Sequence, residues 1–427
     1  MLELVLERLL STLLRFLTLA IGFFLLPSAL ALEPGTIERI ESLSIGEALE
    51  IKAMPIGDER LATVEFRRIA LYADGAGVTV LGSDGPVSLS REGRIFLMGQ
   101  APADPRARVV LAGTRGQASS WRGGLYGSAG FEELRFYEED GRYFARAYSV
   151  SDLLPEGVVL DSSCMNNEFD ALAGAGALPM NSDLSLNARG ASLRLGVLAI
   201  DTDKEWLSRR FEDDTGAAAD FNEELMLVVN GLFESELNLR LQIGDVFLRV
   251  GSDPYPNADS GAGGAELNEF GSYWEDNYSA IQRTQAAMIS GRSGSPNSAS
   301  GIAWVNSYCE YQNSGGSYSY SQLFRNPNFG PSRSAGLFAH ELGHNLGSRH
   351  THCYEPPIDQ CYATQSGCYS GPVSCPDSGQ GTLMSYCHFS SACGGSIPLE
   401  FAPRVMTQIT GRIDANFPSC ITEDVGL

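Results

Sequence analysis

The chain has 427 residues, 43% of them hydrophobic and 9% aromatic, which is too long for one ordinary domain and ample for real cores. Its 52 Asp and Glu against 30 Lys and Arg give a formal charge of -22, which argues against a polyanion partner and against nucleic-acid binding. The 47 glycines follow no G-X-Y period, excluding collagen, and beyond the N-terminus no stretch is long or apolar enough to span a bilayer.

Residues 1–31 read as a secretory signal. Arg8 and Arg15 stand among leucines, an apolar run follows from Phe16 to Leu26, and Pro27 with Ala29-Leu30-Ala31 supplies a cleavage site after Ala31. As a helix the run measures about 17 Å, short of a hydrocarbon core of about 30 Å. The competing reading is an uncleaved anchor from about Leu9, because Glu3 and Glu7 offset the arginines. Either reading exports the rest of the chain, to the exterior or a periplasm, with no membrane span left after signal cleavage.

Residues 32–170 are expected to form a β-rich domain, with short apolar runs such as Arg68 to Gly75 and Gly77 to Gly82 cut by turn residues. The Ala-, Gly-, Asn- and Ser-rich segment 171–191 reads as an exposed, cleavable linker. Residues 192–427 are expected to form an α/β domain with a twisted, mostly parallel sheet. Leu193 to Asp201 and Leu239 to Val250 read as strands, and Ala217 to Leu237 repeats apolar residues at helical spacing. An amphipathic stretch from about Ala265 to Ile289, a short run Gly301 to Val305, a helix from about Ser332 and a last one near Pro403 to Asn416 complete the reading.

All 5 histidines of the chain crowd into its last quarter, three of them in the string His340-Glu341-Leu342-Gly343-His344-Asn345-Leu346-Gly347-Ser348-Arg349-His350. On a helix His340 and His344 share one face, while Phe338, Leu342 and Leu346 can pack into a core. Gly347 ends the helix and lets the chain return His350 to the same point. Three imidazoles with a fourth position open is the ligand count of a catalytic zinc site. Glu341 is placed to take a proton from a water that such a metal activates, then to deliver it to a departing amine. His352 and His388 are read as surface groups or neighbours of the ligands.

This string, followed by Gly381-Thr382-Leu383-Met384-Ser385-Tyr386, resembles the metzincin zinc endopeptidases with their methionine turn. The match of Gly301 to Cys309 and the cysteine-rich chain after the third histidine make it most similar to the reprolysin, or adamalysin, branch, over about Leu193 to Cys420. The resemblance implies an active-site helix, one catalytic zinc ion, protein or peptide substrates, and Met384 as the apolar floor of the site. It also implies that the edge strand Gly301, Ile302, Ala303, Trp304 pairs with extended substrate, and that Cys309 bonds Cys420. Thr351 departs from the aspartate that adamalysins place after the third ligand. Tyr386 also resembles the astacin and serralysin tyrosine that reaches the zinc or the oxyanion, an alternative to simple packing. Some relatives bind calcium, for which no unambiguous loop motif is present.

Of 9 cysteines, Cys164 alone precedes residue 300. By resemblance to the prodomain cysteine switch its thiolate could occupy the open zinc position, making 32–170 an inhibitory prodomain that cleavage in 171–191 releases. An idle thiol is the alternative. The rival to an enzyme is a catalytically inactive zinc-containing adhesion domain, and the specificity pocket is placed around Ile397 to Phe401.

Overall fold

The computed structural model describes residues 30–55, 61–100, 108–127, 130–149, 192–256, 263–292, 300–312, 314–323, 330–389, 393 and 399–424. The apolar run of the signal, Cys164 and the linker 171–191 lie outside these described residues.

The N-terminal region runs β1 (Leu30–Ala31), α1 (Thr36–Ser42), β2 (Ala48–Pro55), β3 (Leu61–Arg68), β4 (Val78–Gly82), β5 (Gly85–Leu89), β6 (Arg94–Gln100), β7 (Arg108–Thr114), β8 (Gln117–Gly127), β9 (Gly130–Glu139) and β10 (Arg142–Ser149). All but β4 and β5 form one antiparallel sheet in the order β1-β10-β9-β8-β7-β6-β3-β2. One face of it buries Phe66, Leu97, Leu111 and Trp121 against Ile37 and Ile40 of α1.

The C-terminal region runs β11 (Arg194–Thr202), α2 (Lys204–Phe211), α3 (Thr215–Leu237), β12 (Leu239–Arg249), α4 (Gly264–Tyr278), β13 (Gln285–Ser290), β14 (Gly301–Ala303), β15 (Tyr318–Gln322), α5 (Pro331–Asn345), α6 (Pro403–Asn416) and β16 (Thr422–Glu423). The long helix α3 starts where the Asp214 carboxylate accepts from the Ala217 amide at 2.9 Å and stops at Asn238, which takes a left-handed φ of 51°. Within it the buried Asn230 amide donates to the Leu241 carbonyl at 2.9 Å and accepts from the Leu241 amide at 2.8 Å, pinning helix to strand. Helices α3 and α5 cover one face of the sheet with Leu225, Phe233, Phe338 and Leu342, and α4 covers the other with Leu267, Phe270 and Trp274.

The sheet is mixed. Its order is β14-β15-β13-β11-β12-β4-β5; the interior pairs are parallel, but β14 at one edge, β5 at the other and β16 against β11 are antiparallel. Three expectations also change in detail. Ala265 to Ile289 is not one amphipathic element, for α4 ends at Tyr278 and the apolar Ala-Ala-Met-Ile that follows is the buried strand β13. Strand β15 escapes a reading by hydropathy because its Tyr and Ser alternate, yet all 5 residues are buried. The run after Arg68 is no regular strand: Tyr72 makes a single bridge to Ile243, after which β4 joins the C-terminal sheet rather than the N-terminal one.

Candidate metal centre

Helix α5 begins with Pro331 in its first turn, where the missing amide hydrogen costs nothing, and carries the fully buried Ala335, Phe338, Ala339 and Leu342 into the core. The same helical turn sets His340 above His344, with their Nε2 atoms 3.1 Å apart. Gly347 then takes a φ of 110°, and the Ser348 amide reaches back to the Gly343 carbonyl at 3.0 Å, closing the helix as a glycine C-cap does. The reversed chain brings the His350 ring to 4.8 Å from that of His344 and 5.4 Å from that of His340. One ring nitrogen from each of the three buried histidines lies within 4.8 Å of the other two.

The other ring nitrogens are all engaged. His340 Nδ1 donates to the Leu383 carbonyl at 2.7 Å, His344 Nδ1 to the Ser348 carbonyl at 2.8 Å, and His350 Nδ1 to Oε1 of Gln365 at 2.9 Å. Backbone carbonyls only accept, so His340 and His344 carry their protons on Nδ1 and turn Nε2 lone pairs toward each other. Opposed lone pairs at 3.1 Å suit a cation between them, and outer hydrogen bonds of this kind are what orient metal-binding imidazoles. The donor set therefore fits a zinc ion held by three nitrogens.

The segment below is tied to both ends of this string. Leu383 serves His340, while the next carbonyl, that of Met384, accepts from the Thr351 amide at 3.0 Å and from its hydroxyl at 3.3 Å. Thr351, the departure noted above, thus joins the third histidine to the methionine. Met384 is fully buried, and its sulfur lies 3.0 Å from where a Cβ on Gly343 would stand, directly against α5. Disulfides Cys353–Cys368, Cys361–Cys387 and Cys375–Cys393 brace the irregular chain around the methionine, and Cys309–Cys420 fastens the edge-strand region to the end of the chain.

Glu341 is 1% exposed and lies beside Gly301 of the edge strand: a Cβ built on Gly301 would stand 2.1 Å from its Oε1. Ile302 and Ala303 complete β14, and the carbonyl of Trp304 accepts from the Asn345 amide at 2.8 Å. Asn345 also donates to the Tyr318 carbonyl at 3.0 Å, so one side chain fastens α5 to both outer strands. The Tyr386 ring packs 4.2 Å from that of His350.

His352 and His388 are buried rather than on the surface, at 0% and 6% exposure. His352 stacks on His350 at 5.3 Å and shares its partner, with Nε2 2.6 Å from Oε1 of Gln365. Two ring N–H groups converging on one oxygen fix the orientation of that amide. Gln365 and Asn345 are the positioning residues that sequence reading missed. Of the expected specificity region, Phe401 is buried and lies 3.4 Å from the Gly343 Cβ position, while residues 394–398 fall outside the described ones.

Residues 193–393 match the reprolysin sequence model of metallopeptidase family M12. The chain carries a metzincin-like, reprolysin-type domain, a zinc metalloendopeptidase acting on peptide bonds. Metalloproteinase-II from Bacteroides fragilis superposes with a TM-score of 0.44 at 11% identity, over 88% of this chain and 94% of that one. A solved chaperone–substrate complex gives a TM-score of 0.27 at 18% identity, over 38% of this chain and 24% of that one. No curated protein matches by sequence. Among the described residues no helix is long and apolar enough to cross a membrane.

Proposed function

We propose that the chain is an exported zinc endopeptidase made as a zymogen, with His340, His344 and His350 as metal ligands and Glu341 as its general base. The observation that carries this reading is the set of three Nδ1 hydrogen bonds, which commits the remaining nitrogens to one point beside a buried carboxylate. A zinc ion there supplies Lewis acidity toward a substrate carbonyl and lowers the pKa of a water to about 7. The edge strand β14 holds extended peptide by main-chain hydrogen bonds, so affinity depends little on substrate side chains. Glu341 takes a proton from the attacking water and returns it to the departing amine nitrogen, which gives it both acid and base roles in one turnover. Tyr386, whose ring lies 4.2 Å from that of His350, is the candidate donor to negative charge developing on the carbonyl oxygen. Met384 closes the floor of the site. Cys164 is the candidate thiolate that keeps the full chain latent.

The test is Glu341→Gln in the processed enzyme. Cleavage of a denatured protein should fall by about 10²–10⁴-fold with one zinc still bound per chain, the range general acid–base catalysis supplies. Equal cleavage by variant and parent would remove Glu341 from the mechanism, and zinc binding with no cleavage by the parent would favour the inactive adhesion domain.

A further inference from the structure

We propose that the N-terminal region does not leave when the chain is cut between its halves, but stays as a non-covalent subunit of the active enzyme. The inference rests on the zymogen reading for its occasion and on the following contacts for its substance.

The two regions share one sheet. Val78, Thr79, Val80 and Leu81 of β4 pair in parallel with Val246, Phe247, Leu248 and Arg249 of β12. The ladder extends beyond them: the Ile243 amide donates to the Leu71 carbonyl at 2.7 Å, Ala73 to Ile243 at 2.8 Å, and Val250 to Leu81 at 2.9 Å. Separation would bare a row of paired backbone groups along the longest strand of the domain.

They also share one core. Along β6 and β7 the side chains alternate between two destinations. Ile95, Leu97, Val109 and Leu111 enter the N-terminal core, whereas Phe96, Met98, Val110 and Ala112 enter the same cluster as Leu225, Val229 and Phe233 of α3. A sheet apolar on both faces does not stand alone in water, and this second face has the character of an obligate interface. Tyr126 of β8 fits against helix α3 so closely that a Cβ on Gly231 would stand 1.4 Å from its hydroxyl.

Charge makes the joint selective. Glu223 of α3 has a side chain with 0% exposure, and the four hydrogen bonds its carboxylate accepts come from Tyr72 Oη at 2.8 Å, Arg91 Nε and Nη2 at 2.7 Å, and Arg94 Nε at 2.7 Å. Arg91 also bonds Asp220 of the same helix. Every one of these donors belongs to the N-terminal region. Finally, the joint is compatible with an open cleft, because β4 and β5 lie at the end of the sheet opposite the edge strand β14.

The experiment uses the full chain carrying Glu341→Ala, to prevent self-digestion, with a specific protease recognition sequence placed within 171–191. After complete nicking, the two pieces should co-elute at the volume of the uncut chain on native gel filtration and separate in denaturant. The same nicked chain with Arg91→Ala and Arg94→Ala should release about tenfold more free N-terminal piece. Native separation of the nicked parent would overturn the proposal. Nicking the chain with Glu341 intact tests the zymogen reading on its own: equal activity before and after the cut would sink that reading, while co-elution would still decide this one.

Discussion

The carboxylate of Glu341 occupies the space that a side chain on Gly301 would fill, at 2.1 Å from the ideal Cβ position. Glycine at this point of the edge strand is what lets the proposed base lie against the strand proposed to receive substrate. Gly301→Ala meets the far end of the flexible Glu341 side chain, which can shift at modest cost to the fold. The expected outcome is a melting temperature close to the parent's, unchanged zinc content and kcat/KM lower by about 10²-fold, since displacement of a reacting group by about 1 Å is enough for that. Steady-state kinetics with metal analysis on the same preparation checks it.

Gln365 accepts from both His350 and His352 and lies in no regular element. Gln365→Leu leaves His350 without the partner that orients its ring. Zinc affinity should fall by about 10–100-fold, measured by competition with a chromophoric chelator, while Gln365→Glu, which retains an acceptor, should keep most of it. Equal affinity in the leucine variant would show that packing alone holds the third imidazole.

Arg94, 5% exposed, bonds the fully buried carboxylate of Glu223 across the joint. Arg94→Ala removes one partner of a buried charge while Arg91 retains the other. Destabilisation near the lower end of the range for such changes, about 3 kcal/mol, is expected in denaturant unfolding of the full chain.

Two acids, the buried Asp203 and the half-buried Glu224, set a pH dependence. Burial pushes Asp203 up to about 6 and Glu224 up to about 7, the latter against the opposing pull of Arg122 and Arg94 and with Asp220 and Glu133 adding to the rise. Both bind protons more tightly folded than unfolded, so their contribution to stability is greatest below pH 4 and is lost as pH rises to about 7. Melting temperature of the full chain should therefore decline between about pH 5 and 7. Glu224→Gln should flatten the upper part of that decline, leaving the part below pH 6 that belongs to Asp203. Melting curves of parent and variant across this range decide it.

Much of the centre can be read from residues alone because its signal is local. His340, Glu341, His344 and Gly347 sit within one helix and its cap, so a fixed spacing becomes a fixed geometry, and α6 runs over Pro403–Asn416 as its apolar period indicates. Gln365 is invisible in that way: it reaches His350 through a disulfide-braced loop with no periodicity to project. The Val78 to Gly82 strand is legible as a strand, but strand pairing is non-local, and nothing in those five residues names β12 as the neighbour. A stronger clue lies in the unbroken apolar runs Ile95 to Met98 and Val109 to Ala112. A strand with one wet face alternates apolar with polar, so these runs announce burial on both faces and hence a second body to pack against.

The hairpin β4–β5 has one more consequence. Without it the C-terminal sheet would end in β12, an eleven-residue strand with an open row of amides and carbonyls; with it the sheet ends in β5, five residues long and interrupted by Pro86. Strand-by-strand growth of one molecule onto another needs a receptive border on both sides, and a short proline-bearing border is a poor template. If β14 recruits extended chains as proposed, this border opposite it disfavours stacking of copies into filaments, with the N-terminal region as the stopper.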